Sequence, residues 1–510
     1  MSSFYAPHTI GDVPDAYNHE YPPTKPFRST SVATEQSIAT HAPEFVVPNA
    51  PNDLPYDRGR RSLVLFGLIL TLVAGSAFIG IGIGIYARSH NTDKYIVIQL
   101  SQWTDVALGL SFSAIVTMCT EATGYVHGTT LKWGLAKEGR LKFNANLRLF
   151  SATNGALSVN GAVVNIASTL SLIFSYAASS TMLMHSSILP KFLMGQATAA
   201  SSPSITVISF LPPIILGATL ILQAILGLVA FSHTHVPTWS SSPLDITSAL
   251  VHHGYVQCRP QRCMRPVSMT KDSHNDPIRP MPRQPSIWST HKAAPRVVWF
   301  VSGTLVAWAG WICIVWFVPP PDALWFRTSE APLGSLMLSL MYLAAAQSVV
   351  TIVLHCCELV TTLARDEVVW RAASKTQGAR PAGNPLKVVL RSWKSAALLL
   401  AKPAIHWYFG INVSVTAGEG FQVLWIAEYF PIVLFLVAVF ITIVATRRPS
   451  GPQPAAYGHV QTLADLVDEW SLTLYWGHKV DRVAGPWPVC HAGTTKSGPL
   501  PPIRMEEFYA

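Results

Sequence analysis

Charge is what this chain has least of. Its 510 residues include 36 Lys and Arg and 27 Asp and Glu, only 12% of the total, about half the share found in a soluble domain. Too few charged side chains are present to cover a water-facing surface of this size. Cysteines are also few and odd in number, seven in all, and most fall in apolar runs, so no disulfide framework follows. Walker A, HExxH, GxSxG and kinase signatures are missing, and with them any cofactor-binding or catalytic motif. The net charge of +9 does not point to nucleic acid. In multispanning chains Lys and Arg flanking the spans are the ordinary source of a high isoelectric point.

What is abundant is apolar sequence in long runs. "SLVLFGLILTLVAGSAFIGIGIGIYA" has no charge and is long enough to cross hydrocarbon as a helix. It follows about sixty polar residues and is too long for a signal-peptide core, so it is expected to be an uncleaved anchor. Windows of about 19 residues give spans at 63–87, 106–126, 156–182, 205–231, 297–318, 334–356 and 421–446, plus a stretch at 396–415 that carries Lys402, Pro403 and His406. A lysine at a helix centre costs about 3 kcal/mol on insertion scales, so that last stretch needs a separate argument.

Parity supplies it. With the N-terminus on one side, that side receives Arg60 and Arg61, the cluster from Lys132 to Arg148, the run from Arg259 to Arg296 and the run from Arg365 to Lys394. The other side receives only Arg88, Lys94, Lys191 and Arg327. The basic side is cytosolic, and Arg447 and Arg448 join it only if 396–415 crosses. Lys402 could lower its cost by snorkelling toward the interface near Arg391 and Lys394. The expected fold is an all-α, polytopic bundle of about eight transmembrane helices with both termini cytosolic. The alternative is seven spans, with 396–415 re-entrant and broken at Pro403.

The polar parts divide into a tail at 1–61, a Pro-rich cytosolic loop at 232–296 and a C-terminal tail at 447–510. The first two read as flexible. In the third, Val460, Leu463, Leu466, Val467 and Trp470 share one helical face, and "LTLYWGHK" and "PVCHAGTT" read as strands. "RLKFNANLRLF" alternates with a period of two and is expected to join them in a small cytosolic α+β layer.

Intramembrane ionisable groups are functional candidates, and here they are Glu121, Lys402, His406 and Glu428. Interhelical hydrogen bonding by the two glutamates and snorkelling by Lys402 form the plainer reading; a polar pathway or ion site is the sharper one. The two separate on whether the glutamates face a wet cavity or neighbouring helices. His406 could also act as a general base in a membrane transferase, though no nucleophile stands near it in sequence. Cys356 and Cys357, at the cytosolic end of the sixth span, fit S-palmitoylation; His355 and Glu358 beside them share a helix face and have metal-ligand chemistry. His478, Cys490 and His491 are also metal-type residues, but at unspecific spacing. Gly80 and Gly84 have the GxxxG spacing of close helix packing. Pro212-Pro213 is expected to break the fourth span, with Pro431 as a counterpart in the last.

"GYVHGTTLKWGLAKEGRLKFNANLRLF", "YGHVQTLADLVDEWSLTLYWGHK", "CHAGTT" and "LPPIRMEEFYA" resemble, in order, blocks of a group of fungal multi-pass integral membrane proteins of unknown function. The resemblance implies a fungal membrane protein and no particular activity. Membrane lipids are the expected partners, with a cytosolic protein as a further one, since the outer loops are short. The residues fit a structural or interaction protein with a basic cytosolic face; a transporter or channel using the carboxylates is the alternative.

Overall fold

The computed structural model describes residues 57–89, 95–185, 204–271, 276–317, 332–380, 392–416, 420–423, 429–484 and 487–510, all in one unit of the chain. Glu428 and most of the 1–61 tail lie outside the described residues. Eight helices of at least 17 residues form the bundle: α1 Asp57–Arg88, α2 Gln102–Lys137, α3 Ala162–Ser180, α4 Leu211–His233, α7 Ala293–Phe317, α8 Pro332–Arg371, α9 Trp393–Asn412 and α10 Phe430–Thr446. Six of them, α1 to α4 with α7 and α8, are long and apolar enough to cross a membrane. The burial pattern is that of a lipid-facing bundle. Phe66, Val73, Trp299, Val306, Leu436 and Ile443 are exposed, while Thr117, Thr120, Thr123, Ser175, Gln223 and Gln347 are buried.

Helix ends sort to two faces. At one face β1 Tyr95–Leu100, β2 Met184–His185 and β3 Ser204–Ser209 form a sheet in the order β1-β3-β2, and β4 Val413–Thr416 pairs antiparallel with β5 Gly420–Val423. Strand β4 packs against β2, so α9 ends where α3 ends. At the other face the segments after α2, α4, α8 and α10 fold together into a cap. It contains α5 Pro243–His252, α6 Ile287–Thr290, α11 Val460–Leu466 and the hairpin β6 Tyr475–Ala484 with β7 Trp487–Thr495. Isolated bridges Phe143–His459, Arg283–Ser450, Ala379–Leu474 and Ile278–Tyr509 stitch these segments to one another.

Helices α1, α2 and α8 are much longer than a membrane needs. Helix α8 has 40 residues, about 60 Å at 1.5 Å per residue, against a hydrocarbon core of about 30 Å. Its last turns carry the cap: Glu367 accepts from Ala456 N and Tyr457 N at 2.9 Å, and Trp370 Nε1 donates to Pro454 O at 2.8 Å. One apolar core runs from Leu340 through Leu363 to Tyr457 without interruption.

Several expectations are corrected here. The Pro-rich segment 232–296 is folded into the cap in its described part rather than left as a flexible loop: Arg60 of α1 holds Asp245 of α5 at 3.4 Å, and Arg259 holds Asp465 at 2.6 Å. "RLKFNANLRLF" joins no sheet: it is irregular apart from the Phe143–His459 bridge and ends in the 3-10 turn Arg148–Phe150, and Asn144 is pinned by side-chain bonds to Asp366 (2.7 Å) and Lys132 (2.8 Å). Pro212 and Pro213 kink nothing; they open α4, where a missing N–H has no helical partner to lose. Pro431 likewise sits in the first turn of α10, so the matched pair of broken helices disappears. Helix α9 is continuous through Pro403. The GxxxG pair is not the packing site either, since a Cβ on Gly80 or Gly84 would meet nothing. Close approach falls instead on Gly75, whose Cβ would lie 2.9 Å from Gly217 O of α4.

Candidate functional site

The bundle consists of two four-helix groups. Helix α4 packs on α1, α2 and α3, while α8 packs on α7, α9 and α10. The groups meet along a seam made by α2 and α3 on one side and α8 and α9 on the other. Four charged side chains, Glu121, Arg148, Glu358 and Lys402, converge on that seam.

Lys402 is its centre. Its ammonium contacts both Glu121 of α2 and Glu358 of α8, and the lysine is only 2% exposed. It therefore does not snorkel. The pairing of two carboxylates with one ammonium leaves an excess negative charge, and Arg148 supplies the balance. That residue comes from the 3-10 turn Arg148–Phe150, and its guanidinium lies 3.7 Å from Glu358 and 2.9 Å from His355 Nδ1. Gly124 of α2 leaves room here: a Cβ at that position would displace the Arg148 guanidinium from its present place. Two carboxylates, one ammonium and one guanidinium sum to zero, which is what a low-dielectric interior demands.

One turn along α9, His406 stacks on Tyr176 of α3 with ring centroids 3.6 Å apart, and its Nδ1 lies 2.8 Å from Gln347 Nε2 of α8. The Tyr176 hydroxyl continues to Thr120 at 3.1 Å and Thr117 at 3.4 Å. No nucleophile bonds to His406 among the described residues, so the transferase reading has no geometry behind it. Beside the seam, between α2, α3 and α4 of the first group, lies a cavity of about 30 Å³ lined by Thr120, Thr123, His127, Arg148 and Gln223 among others, room for one or two waters.

Polar capacity along the seam exceeds what the protein uses. His355 Nε2, His406 Nε2, Gln347 Oε1 and His127 Nε2 are buried without a hydrogen-bond partner, and such atoms cost about 1–3 kcal/mol each when left so. The Glu121 and Glu358 side chains stay 32% and 26% exposed although helices surround them. Partly exposed carboxylates beside imidazoles that each keep one unpartnered nitrogen have the chemistry to take up and release a proton or a small cation; the set Glu121, His355 and Glu358 also has three ligand atoms within 4.8 Å of one another.

Cys356 and Cys357 point into the apolar core, 5% and 0% exposed, where a packed helix offers neither thiol to an acyl donor. His478, Cys490 and His491 do not converge on one point. His491 faces Asp468 (3.3 Å) and Ala510 O (3.1 Å), whereas His478 and Cys490 both face Asp481. The sequence flags Glu121, Lys402 and, for metal-ligand chemistry, Glu358, but not Arg148 and not the pairing: Glu358 and Arg148 lie outside the apolar windows, and only packing brings them to Lys402 and Glu121. No family model, curated protein or solved structure matches this chain.

Proposed function

We propose that this chain is a transport-type membrane protein in which eight helices cross the bilayer, both termini lie in the cytosol, and the seam binds and passes protons or a small cation. The observation that carries the reading is the position of Lys402 between two partly exposed carboxylates at the boundary of two helix groups. Ion pairs inside a bilayer add little stability over apolar packing, and sites between halves of a bundle are where alternating access acts. Breaking the Lys402 contacts would loosen one group from the other. The sorting of helix ends supports eight crossings. So does the basic cap: Lys137, Arg140, Lys271, Arg279, Lys292, Arg296, Lys375, Arg447 and Arg448 are all exposed on or beside it, as the positive-inside rule places cytosolic residues.

The test is ion flux into liposomes holding the purified chain, read with a pH-sensitive dye under an imposed pH or cation gradient. Wild type should conduct and Glu121→Gln should not. Equal flux in both, or none in wild type under any gradient tried, rejects the reading. The same exposed arginines favour a second reading, a structural or interaction protein that docks on anionic lipid or an acidic cytosolic partner. Vesicle binding that falls with salt while flux stays at background would select it.

A further inference from the structure

The hairpin of the cap holds a second group of chemistry-bearing side chains, remote from the seam in sequence and in fold. Strand β6 carries a register shift between His478 and Val480. In a regular strand residues three apart point to opposite faces. The extra residue, Lys479, corrects the parity, so that His478 and Asp481 emerge on one face, and the register places Cys490 of β7 directly opposite Asp481. Bulges of this kind re-aim side chains beside functional sites.

The resulting distances are those of a metal cage. His478 Nε2 lies 3.2 Å from Asp481 Oδ1, Cys490 Sγ lies 3.4 Å from the same oxygen, and all three ligand atoms fall within 4.8 Å of one another. Tetrahedral zinc, with bonds of about 2.1 Å to N and O and about 2.3 Å to S, holds N and O about 3.4 Å apart and S and O about 3.6 Å apart. Small shifts in side-chain torsion would close the difference. The shell behind the ligands is in place as well. The Tyr509 hydroxyl oxygen accepts from Arg504 N at 3.0 Å and lies 3.1 Å from His478 Nδ1. By accepting the Nδ1 proton it leaves the Nε2 lone pair for a metal, as outer partners of zinc-bound histidines do. His478 and Cys490 are buried while Asp481 is 63% exposed, so the site has two fixed donors, one adaptable donor and an open side for water.

We propose that His478, Asp481 and Cys490 form a binding site for a zinc-type divalent ion, completed by water. The Arg504 guanidinium, 3.2 Å from Asp481 Oδ1 and itself 55% exposed, occupies the carboxylate when no metal is bound and swings away when one arrives. Nitrogen, oxygen and thiolate donors together select zinc over magnesium or calcium, which want oxygen alone.

The test uses the full chain in detergent, stripped with a chelator and titrated with Co²⁺, then with Zn²⁺ against a chromogenic competitor. Wild type should bind one ion per chain with thiolate-to-cobalt charge-transfer absorption in the near ultraviolet. That absorption should vanish in Cys490→Ser, and Zn²⁺ affinity should fall by about 10–100-fold in Tyr509→Phe. Arg504→Gln should bind more tightly than wild type, and His491→Ala, whose ring faces the other side of β7, should match it. Absence of the charge-transfer absorption in wild type, or its survival in Cys490→Ser, overturns the proposal. Should Cys490→Ser not fold, Asp481→Asn decides instead: its side chain is exposed, and unchanged Zn²⁺ affinity there is equally fatal.

Discussion

The contact between α1 and α4 and the seam between the two helix groups are both helix interfaces inside one bundle, and they are built on opposite principles. Along α1 and α4, Gly75 and Gly217 bring backbones together with no polar side chain involved. Along the seam, charges and imidazoles hold the helices apart and tie them at the same time. The first interface has a single arrangement, because dispersion between close-packed surfaces is lost with any displacement. The second can exchange partners, since Lys402, Arg148, Glu121 and Glu358 offer more than one way to neutralise each other. A bundle that needs one moving boundary and otherwise fixed ones would be assembled in this way.

The strongest blow to that contrast is Lys402→Ala. Removing the shared ammonium leaves two carboxylates facing each other, a loss of about 3–5 kcal/mol, read as a lower thermal unfolding midpoint in detergent. Replacing all four charges together, with Lys402→Met, Arg148→Met, Glu121→Gln and Glu358→Gln, should restore most of the loss while abolishing flux; failure to recover stability would mean that the charges exist to hold the fold. Next in size is Gly217→Val, whose Cβ cannot be placed against Gly75 O. It should cost about 1–3 kcal/mol and leave the ion selectivity of any remaining flux unchanged, so altered selectivity would show that the dry interface also moves.

The smallest expected effect concerns the cap. Phe143 lies between the rings of His291 and His459, with centroids 4.5 and 4.7 Å away, and burial holds both imidazoles down to about 4. Both are therefore neutral in the folded state at pH values where the unfolded chain, near 6.5, takes up protons. Stability from this pair is complete above about pH 6.5 and is lost as pH falls toward 4. Amide exchange in 456–467, corrected for the intrinsic pH dependence of exchange, should accelerate from pH 7 to pH 5 in wild type, and less so in His459→Asn, which keeps the cap on Thr462 N. Equal acceleration in both would place the loosening elsewhere.

Much of this was readable in advance. The spans of α1, α4, α7 and α8 follow from uncharged runs alone and that of α2 from a run interrupted only by Glu121, and the face of α11 follows from Val460, Leu463 and Leu466 at helical spacing, all at most 1% exposed. "LTLYWGHK" and "PVCHAGTT" do pair as β6 and β7. What misled was local chemistry without neighbours. A proline pair signals a break or a start with equal force until the preceding residues are seen to form β3. GxxxG spacing in α1 cannot say which glycines face α4. The 232–296 segment is rich enough in proline to look unfoldable, yet its Arg259 finds Asp465 and its apolar residues find α11 only once four loops meet.

The amino-acid order by itself determined that this chain has helices long and apolar enough to cross a bilayer, roughly where they lie, and which residues would be expensive to keep there. Hydrophobic transfer is a property of a segment, so it can be added up along the chain without knowing the fold. The tertiary structure alone decided what those expensive residues do. Electrostatic compensation is a property of pairs, and the partners of Lys402 are 281 and 44 residues away in sequence.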